Sequence, residues 1–416
     1  MRYSKFDLER FMKEIPDLGV GTKVPDSEFQ DRVGKVRSIL KQRGISCGIA
    51  YGNEYRPGDT GWLTDYDPSL EATVVVIGDR KTMILGGPEG SLYAREQKRL
   101  GEYRNLVELK LPEEDYPGYK FSSFEDALKE ACSKIPDQLG ILTLKEVIPV
   151  ATYEMFGSLK GVKLVDAADI LLDLRYHKSE AELKVMRVSA GIVTHAMQAA
   201  LGVLQPGISE LEVAATAEYV MKRLGGERHG VVTIVSSGKR VSNVIGGASQ
   251  KRIEEGDLVE LTLSMRYEGL SACVGRTVGA GKISDGKRKL IQTCVEAYAK
   301  ASPKILFGAP AKEVDLTCRQ HLRQHGFENM YSSVHGTGWT ECMEYSGAET
   351  QYSKNTFPKG IALQLDIGVF GVPAFGIPPE EVGLRLEDLW IIDHAGKVER
   401  LTANPVDAGP LVLHNF

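Results

Sequence analysis

Three side chains in the C-terminal half of the chain are of types that bind metal ions or transfer protons. His335 stands in HGTGW, Asp366 in LQLDIG and Glu387 in LRLEDL. An imidazole titrates near neutral pH and carboxylates attract cations, so this set suits general acid–base catalysis or metal binding. The runs around Asp366 and Glu387 are strand-like, which predicts that a sheet positions both carboxylates.

The elements around these residues follow the same order twice. Capping boxes formed by Ser179 with Glu182 and by Ser209 with Glu212 predict the starts of two helices. The strand-like runs VVTIVSS, LVELTLSM and LSACVGRTV follow them. Two further helical stretches, KRKLIQTCVEAYAKASPKI and KEVDLTCRQHLRQHG, then precede the strand-like ALQLDIGVF and LRLEDLWIID. This order predicts two similar halves, and the cleft where such halves meet is a natural binding site.

The first part of the chain has the pattern of a separate, smaller α/β domain. An amphipathic stretch from Asp26 to Arg43, followed by Gly44, predicts a helix that ends at a glycine. The runs ATVVVIGD and KTMILGG predict two strands joined by a tight turn. The predicted limits are 1–172 for this domain and 173–416 for the next.

Length, composition and charge restrict the class of protein further. The chain has 416 residues, which predicts two domains, and its 26% charged and 42% hydrophobic residues are typical of a folded globular protein. The net charge of -5 predicts that nucleic acid is not a partner. The sequence shows no signal peptide and no run of roughly 20 apolar residues, so we also predict no membrane partner. Six cysteines without a CxxC pair predict reduced thiols in a cytoplasmic protein.

Five motifs follow one another in the C-terminal half: IVSSG (234–238), EEGDLVELTLSMRYEGLSACVGRTV (254–278), HGTGWTEC (335–342), KGIALQLDIG (359–368) and VGLRLEDLWIIDHAGKVERLT (382–402). In type, order and spacing they resemble those of the superfamily of creatinase, Xaa-Pro aminopeptidase/prolidase and methionine aminopeptidase. The resemblance implies an α+β fold, with a pita-bread C-terminal domain and a smaller creatinase-like α/β domain before it. It also implies a homodimer.

The metal-binding positions of this superfamily are only partly kept. Its peptidases hold two divalent metals with two Asp, one His and two Glu. By the resemblance these positions fall, in chain order, on Thr262, Cys273, His335, Asp366 and Glu387. Two of the four carboxylates are lost and a third is shortened, whereas two adjacent dications need several anionic oxygens. We therefore predict that no metal pair binds here.

The function predicted from these residues is that of a creatinase-like hydrolase without a cofactor. It would cleave a C–N bond of a small amino-acid-derived, amide or guanidino substrate. In this hypothesis His335 transfers the proton, while Asp366 and Glu387 anchor a cationic part of the substrate. The two pocket histidines of the family fall near Ile245 and on Cys342, so both are lost. The predicted substrate-binding residues are His229, a candidate replacement imidazole, and Thr262, Trp339, Cys342 and Arg385.

Two alternatives remain open at this point. An Xaa-Pro-type peptidase would hold one zinc or another divalent metal with Cys273, His335, Asp366 and Glu387, a chemically reasonable set of sulfur, nitrogen and oxygen ligands. A non-catalytic binding protein would keep the fold without the chemistry, and Cys273 would then be a small apolar side chain in the core. The predicted partners are a small-molecule substrate and a second copy of the chain.

Overall fold

The computed structural model describes residues 6–339, 344 and 348–402. The predicted substrate-binding residue Cys342 lies outside these described residues. Within the described ranges, no helix has the length and apolar character required to cross a membrane.

The chain forms two compact units, and the first residues do not belong to the unit that follows them. One unit spans residues 24–175, and the other combines 176–416 with the first 23 residues, which include helix α1 (Leu8–Glu14). The structure differs here from the predicted limits because the N-terminal segment bonds to the later part of the chain. The backbone N–H of Gly21, for example, donates to the hydroxyl of Tyr267 at 2.6 Å.

The unit of residues 24–175 is built on a mixed six-stranded sheet. Its helices are α2 (Asp26–Gln42), α3 (Gly58–Thr64), α4 (Gly90–Gln97), α5 (Phe124–Ala131), α6 (Val150–Gly157) and α7 (Ala168–Tyr176). Its strands are β1 (Cys47–Gly52), β2 (Thr73–Ile77), β3 (Thr82–Gly86), β4 (Glu102–Asn105), β5 (Gln138–Ile141) and β6 (Lys163–Asp166). The strand order is β4-β3-β2-β1-β5-β6. Strands β2 and β3 form the predicted antiparallel hairpin, and α2 is the predicted amphipathic helix.

The second unit contains an antiparallel sheet covered by long helices. The helices are α8 (Glu180–Val203), α9 (Glu210–Arg223), α10 (Asp285–Ala301) and α11 (Lys312–Gln324). The strands are β7 (Ile234–Ser237), β8 (Leu258–Tyr267), β9 (Leu270–Gly279), β10 (Val334–Gly336), β11 (Ile361–Phe370), β12 (Gly383–Ile392) and β13 (Val398–Arg400). The strand order is β10-β11-β12-β9-β8-β7, and β13 pairs with β12. Both predicted capping boxes are present, at the starts of α8 and α9.

Alternation along β11 decides which face of this sheet is apolar. Leu363, Leu365 and Ile367 are buried in one hydrophobic cluster with residues of α10 and α11. Successive side chains of a strand point to opposite faces, so Gln364 and Asp366 point to the other face. The helices thus stabilise one side of the strand, and the polar side chains belong to the other.

Candidate active site

The sheet brings the predicted site residues into one row across four strands. Asp366 of β11 lies opposite Glu387 of β12. Glu387 lies opposite Gly275 of β9, which in turn lies opposite Thr262 of β8. His335 of β10 is paired with the residue two positions before Asp366, so its side chain is on the same face. Side chains directly opposite one another stand about 5 Å apart, which is close enough for both to contact one bound ion.

One imidazole and two carboxylates converge at the end of this row. Ligand atoms of His335, Asp366 and Glu387 all lie within 4.8 Å of one another, and His335 Nε2 is 3.7 Å from Glu387 Oε1. Their exposed fractions are 6%, 6% and 3%. Carboxylates held together this far from water favour a cation between them.

Burial and mutual repulsion give the two carboxylates different proton affinities. Burial, followed by the charge of Glu387, raises the pKa of Asp366 to about 7. Burial also opposes the charge of Glu387, but the hydrogen bond and charge of His335, together with the charge of Arg385, lower its pKa below the usual value. Without a metal, Glu387 is therefore the carboxylate of the pair that ionises first as the pH rises.

The raised pKa of Asp366 predicts a pH-dependent cost for the metal-free protein. An unfolded Asp has a pKa of 3.8, so the folded state holds the proton more tightly. The contribution of this proton to the free energy of unfolding is fully present below pH 3.8 and is lost as the pH rises towards 7. In Asp366→Asn this loss should disappear. After chelation, urea unfolding should show the variant gaining about 3 kcal/mol relative to wild type between pH 5 and pH 8. Parallel pH profiles for the two proteins would contradict this assignment.

The guanidinium of Arg385 occupies the space beside these ligands. Its Nη1 donates to the Thr262 hydroxyl at 3.1 Å and lies 3.4 Å from Glu260 Oε1. Its Nε lies 3.7 Å from Asp366 Oδ1. The Tyr331 hydroxyl bridges the two, since it accepts from Arg385 Nε at 3.1 Å and donates to Asp366 Oδ1 at 3.0 Å. The positively charged guanidinium of Arg385 is therefore held in place beside the row of site residues.

The arginine can lie across the sheet because β9 has a glycine beneath it. A Cβ at Gly275 would stand 2.8 Å from Cγ and Cδ of Arg385 and 3.0 Å from Cβ of Glu387. Burial opposes the charge of Arg385, but the phenol and the carboxylates around it raise its pKa well above the usual value. Arg385 therefore stays ionised at neutral pH.

Glu260 is a site residue that the sequence analysis does not single out. It is fully buried, accepts from the Thr262 hydroxyl at 2.6 Å and from the Ser236 hydroxyl at 3.3 Å, and burial raises its pKa. The signal that could have found it is its spacing. Glu260 precedes Thr262 by two residues on one strand, so it shares the face on which the family has an aspartate.

Gln364 was also missed. It is fully buried, and neither atom of its amide has a hydrogen-bond partner among the described residues. It lies opposite His335 and two residues before Asp366, on the face of the ligand cluster. An unsatisfied buried amide is costly, so a group that is bound at this face would supply the missing partners.

Cys273 contacts the cluster without joining it as a ligand, whereas Thr262 contacts Arg385 and Glu260 beside it. The Cys273 thiol donates to Glu387 Oε2 at 3.3 Å, which leaves Oε1 as the oxygen facing His335. Cys273 is not in the group of ligand atoms within 4.8 Å of one another. The structure thus brings together three of the four predicted ligands of a single metal, and Cys273 contacts one of them.

Two of the predicted substrate-binding residues have their described contacts elsewhere. His229 Nε2 lies 3.8 Å from Glu218 Oε1 of α9, and no contact that the structure describes joins it to the cluster. Trp339 is buried, and its indole N–H donates to Glu182 Oε1 of α8 at 2.5 Å. Roles for both in substrate binding remain predictions.

Comparison with known proteins is consistent with this geometry. The sequence pattern of metallopeptidase family M24 matches residues 184–394. The Xaa-Pro dipeptidase of Pyrococcus furiosus is 30% identical over 322 residues, which are 77% of this chain and 86% of that protein. The uncharacterized peptidase YqhT of Bacillus subtilis is 30% identical over 371 residues, which are 88% of this chain and 96% of that protein. The chain belongs to metallopeptidase family M24.

Solved structures show the same fold at lower identity. The prolidase of Pyrococcus horikoshii has a TM-score of 0.75 at 24% identity, covering 90% of this chain and 99% of that one. The X-Pro aminopeptidase of Thermotoga maritima has a TM-score of 0.74 at 20% identity, and the match covers 90% of this chain and 98% of that one. The predicted α+β pita-bread fold of the creatinase and aminopeptidase superfamily is confirmed, as is the prediction of an enzyme of the C–N hydrolase type.

The predicted mechanism without a cofactor is wrong. The family is one of metallopeptidases, and the relatives are Xaa-Pro dipeptidases rather than metal-independent hydrolases. The physical reason lies in which ligands were lost. By the resemblance, Thr262 on β8 and Cys273 on β9 stand where the family has two aspartates, whereas His335, Asp366 and Glu387 on the other strands converge. The alternative with a divalent metal fits these findings.

The three converging residues suit one divalent metal. Nitrogen and oxygen ligands about 2.1 Å from a tetrahedral ion stand about 3.4 Å from each other, and His335 Nε2 and Glu387 Oε1 are 3.7 Å apart. Three protein ligands with one position left open are the usual set of a catalytic zinc site. The unsatisfied amide of Gln364 on the same face is consistent with a further bound group.

Proposed function

We propose that the protein is an Xaa-Pro-type metallopeptidase that uses a single divalent metal to hydrolyse the C–N bond of a small peptide. The observation that carries the proposal is the convergence of His335, Asp366 and Glu387 within 4.8 Å of one another. The names of the relatives, Xaa-Pro dipeptidases, support the substrate class. A bound dication would polarise the scissile carbonyl and lower the pKa of a water molecule to supply the nucleophile.

The surrounding side chains hold the proposed ligands in position. The Cys273 thiol donates to Glu387 Oε2 and so fixes the rotation of that carboxylate. The Tyr331 hydroxyl donates to Asp366 Oδ1 and in turn accepts from Arg385. Hydrogen bonds of this kind to the ligands keep their orientation before the metal arrives, which lowers the cost of binding it.

The loss of two carboxylates, at Thr262 and Cys273, is the reason for proposing one metal rather than two. Arg385 contacts Thr262 and Glu260 in the half of the row where the two aspartates are lost. A second dication there would face a buried guanidinium and too few anionic oxygens. In this proposal the positive charge of Arg385 neutralises the negative charge of Glu260 and part of that of Asp366. The remaining negative charge of the carboxylates then attracts the metal.

The substrate class is tested with matched peptides. Purified enzyme is assayed on Ala-Pro, Ala-Ala and Ala-Pro-Ala, before and after chelation, and again after zinc, manganese or cobalt is restored. We expect hydrolysis of Ala-Pro that is lost with the metal and recovered with it, and much slower hydrolysis of Ala-Ala. Cleavage of Ala-Pro-Ala would indicate an aminopeptidase rather than a dipeptidase. Hydrolysis unaffected by complete removal of the metal would refute the proposal.

We also propose that the enzyme works as a homodimer in the cytoplasm. The dimer is implied by the family resemblance alone. The location is supported by buried cysteines outside disulfides, which are typical of a reducing compartment: Cys47, Cys132, Cys294 and Cys318. Light scattering should give twice the chain mass of 45.6 kDa. A mass of one chain would contradict the dimer.

A further inference from the structure

A second group of metal-ligand side chains lies on the helices α10 and α11. Glu296 of α10, His321 of α11 and His325 directly after α11 have ligand atoms that all lie within 4.8 Å of one another. None of the three belongs to the ligand cluster of the sheet. The arrangement combines two imidazoles with one carboxylate, a ligand set that zinc and similar dications favour.

The spacing of the two histidines follows from the helix. His321 and His325 are four residues apart, and such residues are neighbours on one helical face. Their ring centroids are 5.1 Å apart, and the ring of His325 also packs against Phe327 and Phe375 at 6.4 and 6.0 Å. These contacts orient the exposed imidazole towards the helix pair without covering it.

The carboxylate is placed at the distance that a tetrahedral ion requires. Glu296 Oε2 lies 3.4 Å from His321 Nε2, and ligands about 2.1 Å from a tetrahedral zinc stand about 3.4 Å apart. His321 Nε2 is buried and has no hydrogen-bond partner among the described residues. The other oxygen of Glu296 accepts from the Gln292 amide at 2.9 Å, which fixes the rotation of the carboxylate. The oxygen that faces the imidazole is thus oriented by a neighbour.

The helix end also favours a cation here. His321 lies in the last turn of α11 and His325 follows that turn. The C-terminal end of a helix carries a partial negative charge, which stabilises a positive group near it. A dication bound to these two residues would therefore gain from the backbone as well as from its ligands.

We propose that Glu296, His321 and His325 form a second metal site, which binds zinc or a similar dication and clamps α10 to α11. The site is structural and separate from the proposed catalytic metal. It offers three protein ligands, and a water molecule completes the coordination. Since the ligands come from two helices, binding stabilises the folded protein over the unfolded chain.

Lys300 is the group that competes with the metal. Its Nζ donates to His321 Nδ1 at 2.7 Å, so Nε2 carries the ring proton in this structure. When zinc binds Nε2, that proton passes to Nδ1 and the ammonium must move away. Lys300 is exposed and can turn into the solvent. Removing it should therefore strengthen the site.

The test measures zinc uptake by protein whose proposed catalytic site is already loaded. Zinc is titrated by calorimetry, and the metal content after desalting is measured by elemental analysis. We expect wild type to take up one further equivalent, and His325→Ala and Glu296→Gln to lose it. His177→Ala, which removes another exposed histidine, should behave as wild type. Lys300→Met should bind zinc more tightly, and zinc should raise the thermal midpoint of wild type but not of His325→Ala.

Several results would overturn the proposal. It is wrong if wild type takes up no zinc beyond the first site, or if His325→Ala takes up as much zinc as wild type. Weaker zinc binding by Lys300→Met would also contradict it. Glu387→Gln separates the two proposals, because it should lose the catalytic metal and keep this uptake. Failure of one proposal therefore leaves the other intact.

Discussion

Glu387→Gln is expected to lose one equivalent of bound metal and to lower kcat/KM for Ala-Pro by about 1,000-fold or more. The substitution keeps the size of the side chain but removes the charge that His335 and Arg385 hold ionised. A bound metal contributes several kcal/mol to the transition state, and each 1.36 kcal/mol is a factor of about ten in rate. Elemental analysis and steady-state kinetics measure the two losses.

Glu260→Gln provides the matched control for this prediction. Both carboxylates are buried on strands of the same sheet, but Glu260 is outside the group of converging ligand atoms. Glu260→Gln should therefore retain the metal that Glu387→Gln loses. Equal metal content in the two variants would show that Glu387 is not a ligand.

Arg385→Met is expected to cost about 3–5 kcal/mol of folding free energy, because it removes one partner of a buried charge cluster. Glu260, fully buried, and Asp366 would lose the cation that lies 3.4 and 3.7 Å away. Urea unfolding of the chelated protein measures the loss, and the slope of the transition shows whether unfolding stays two-state.

A double-mutant cycle assigns that cost to the charges. Arg385→Met combined with Glu260→Gln leaves no carboxylate unpaired at position 260, so the double variant should be more stable than Arg385→Met alone. Arg385→Lys keeps the charge but not the planar fork, and we expect an intermediate loss. A cost below about 1 kcal/mol for Arg385→Met would mean that the arginine does not neutralise the row.

The two proposed metal sites place their ligands by different means. At the proposed catalytic site, neighbouring strands supply His335, Asp366 and Glu387, and the sheet register sets their separation. At the helix pair, the pitch of α11 sets the separation of His321 and His325. A sheet holds ligands on a rigid surface, which suits catalysis, whereas ligands on two helices suit a clamp.

Features that depend on neighbours along the chain could be predicted from local sequence patterns. The capping boxes at Ser179 and Ser209 and the β2–β3 hairpin were readable because each is set by a few adjacent residues. The ordered motifs identified the superfamily and located His335, Asp366 and Glu387. By the resemblance, they also predicted that Thr262 and Cys273 stand where the family has two ligands of its metal pair.

The surroundings of Thr262 and Cys273 depend on contacts between distant parts of the chain. Arg385 and Glu260 are 125 residues apart in sequence and meet because β12, β9 and β8 are neighbours in a defined register. Glu296 meets His321 because α10 packs against α11. Register and helix packing depend on the whole core, and no single strand or helix specifies them. The sequence therefore predicted the ligands, and the fold brought Arg385 into contact with Thr262 and Glu260.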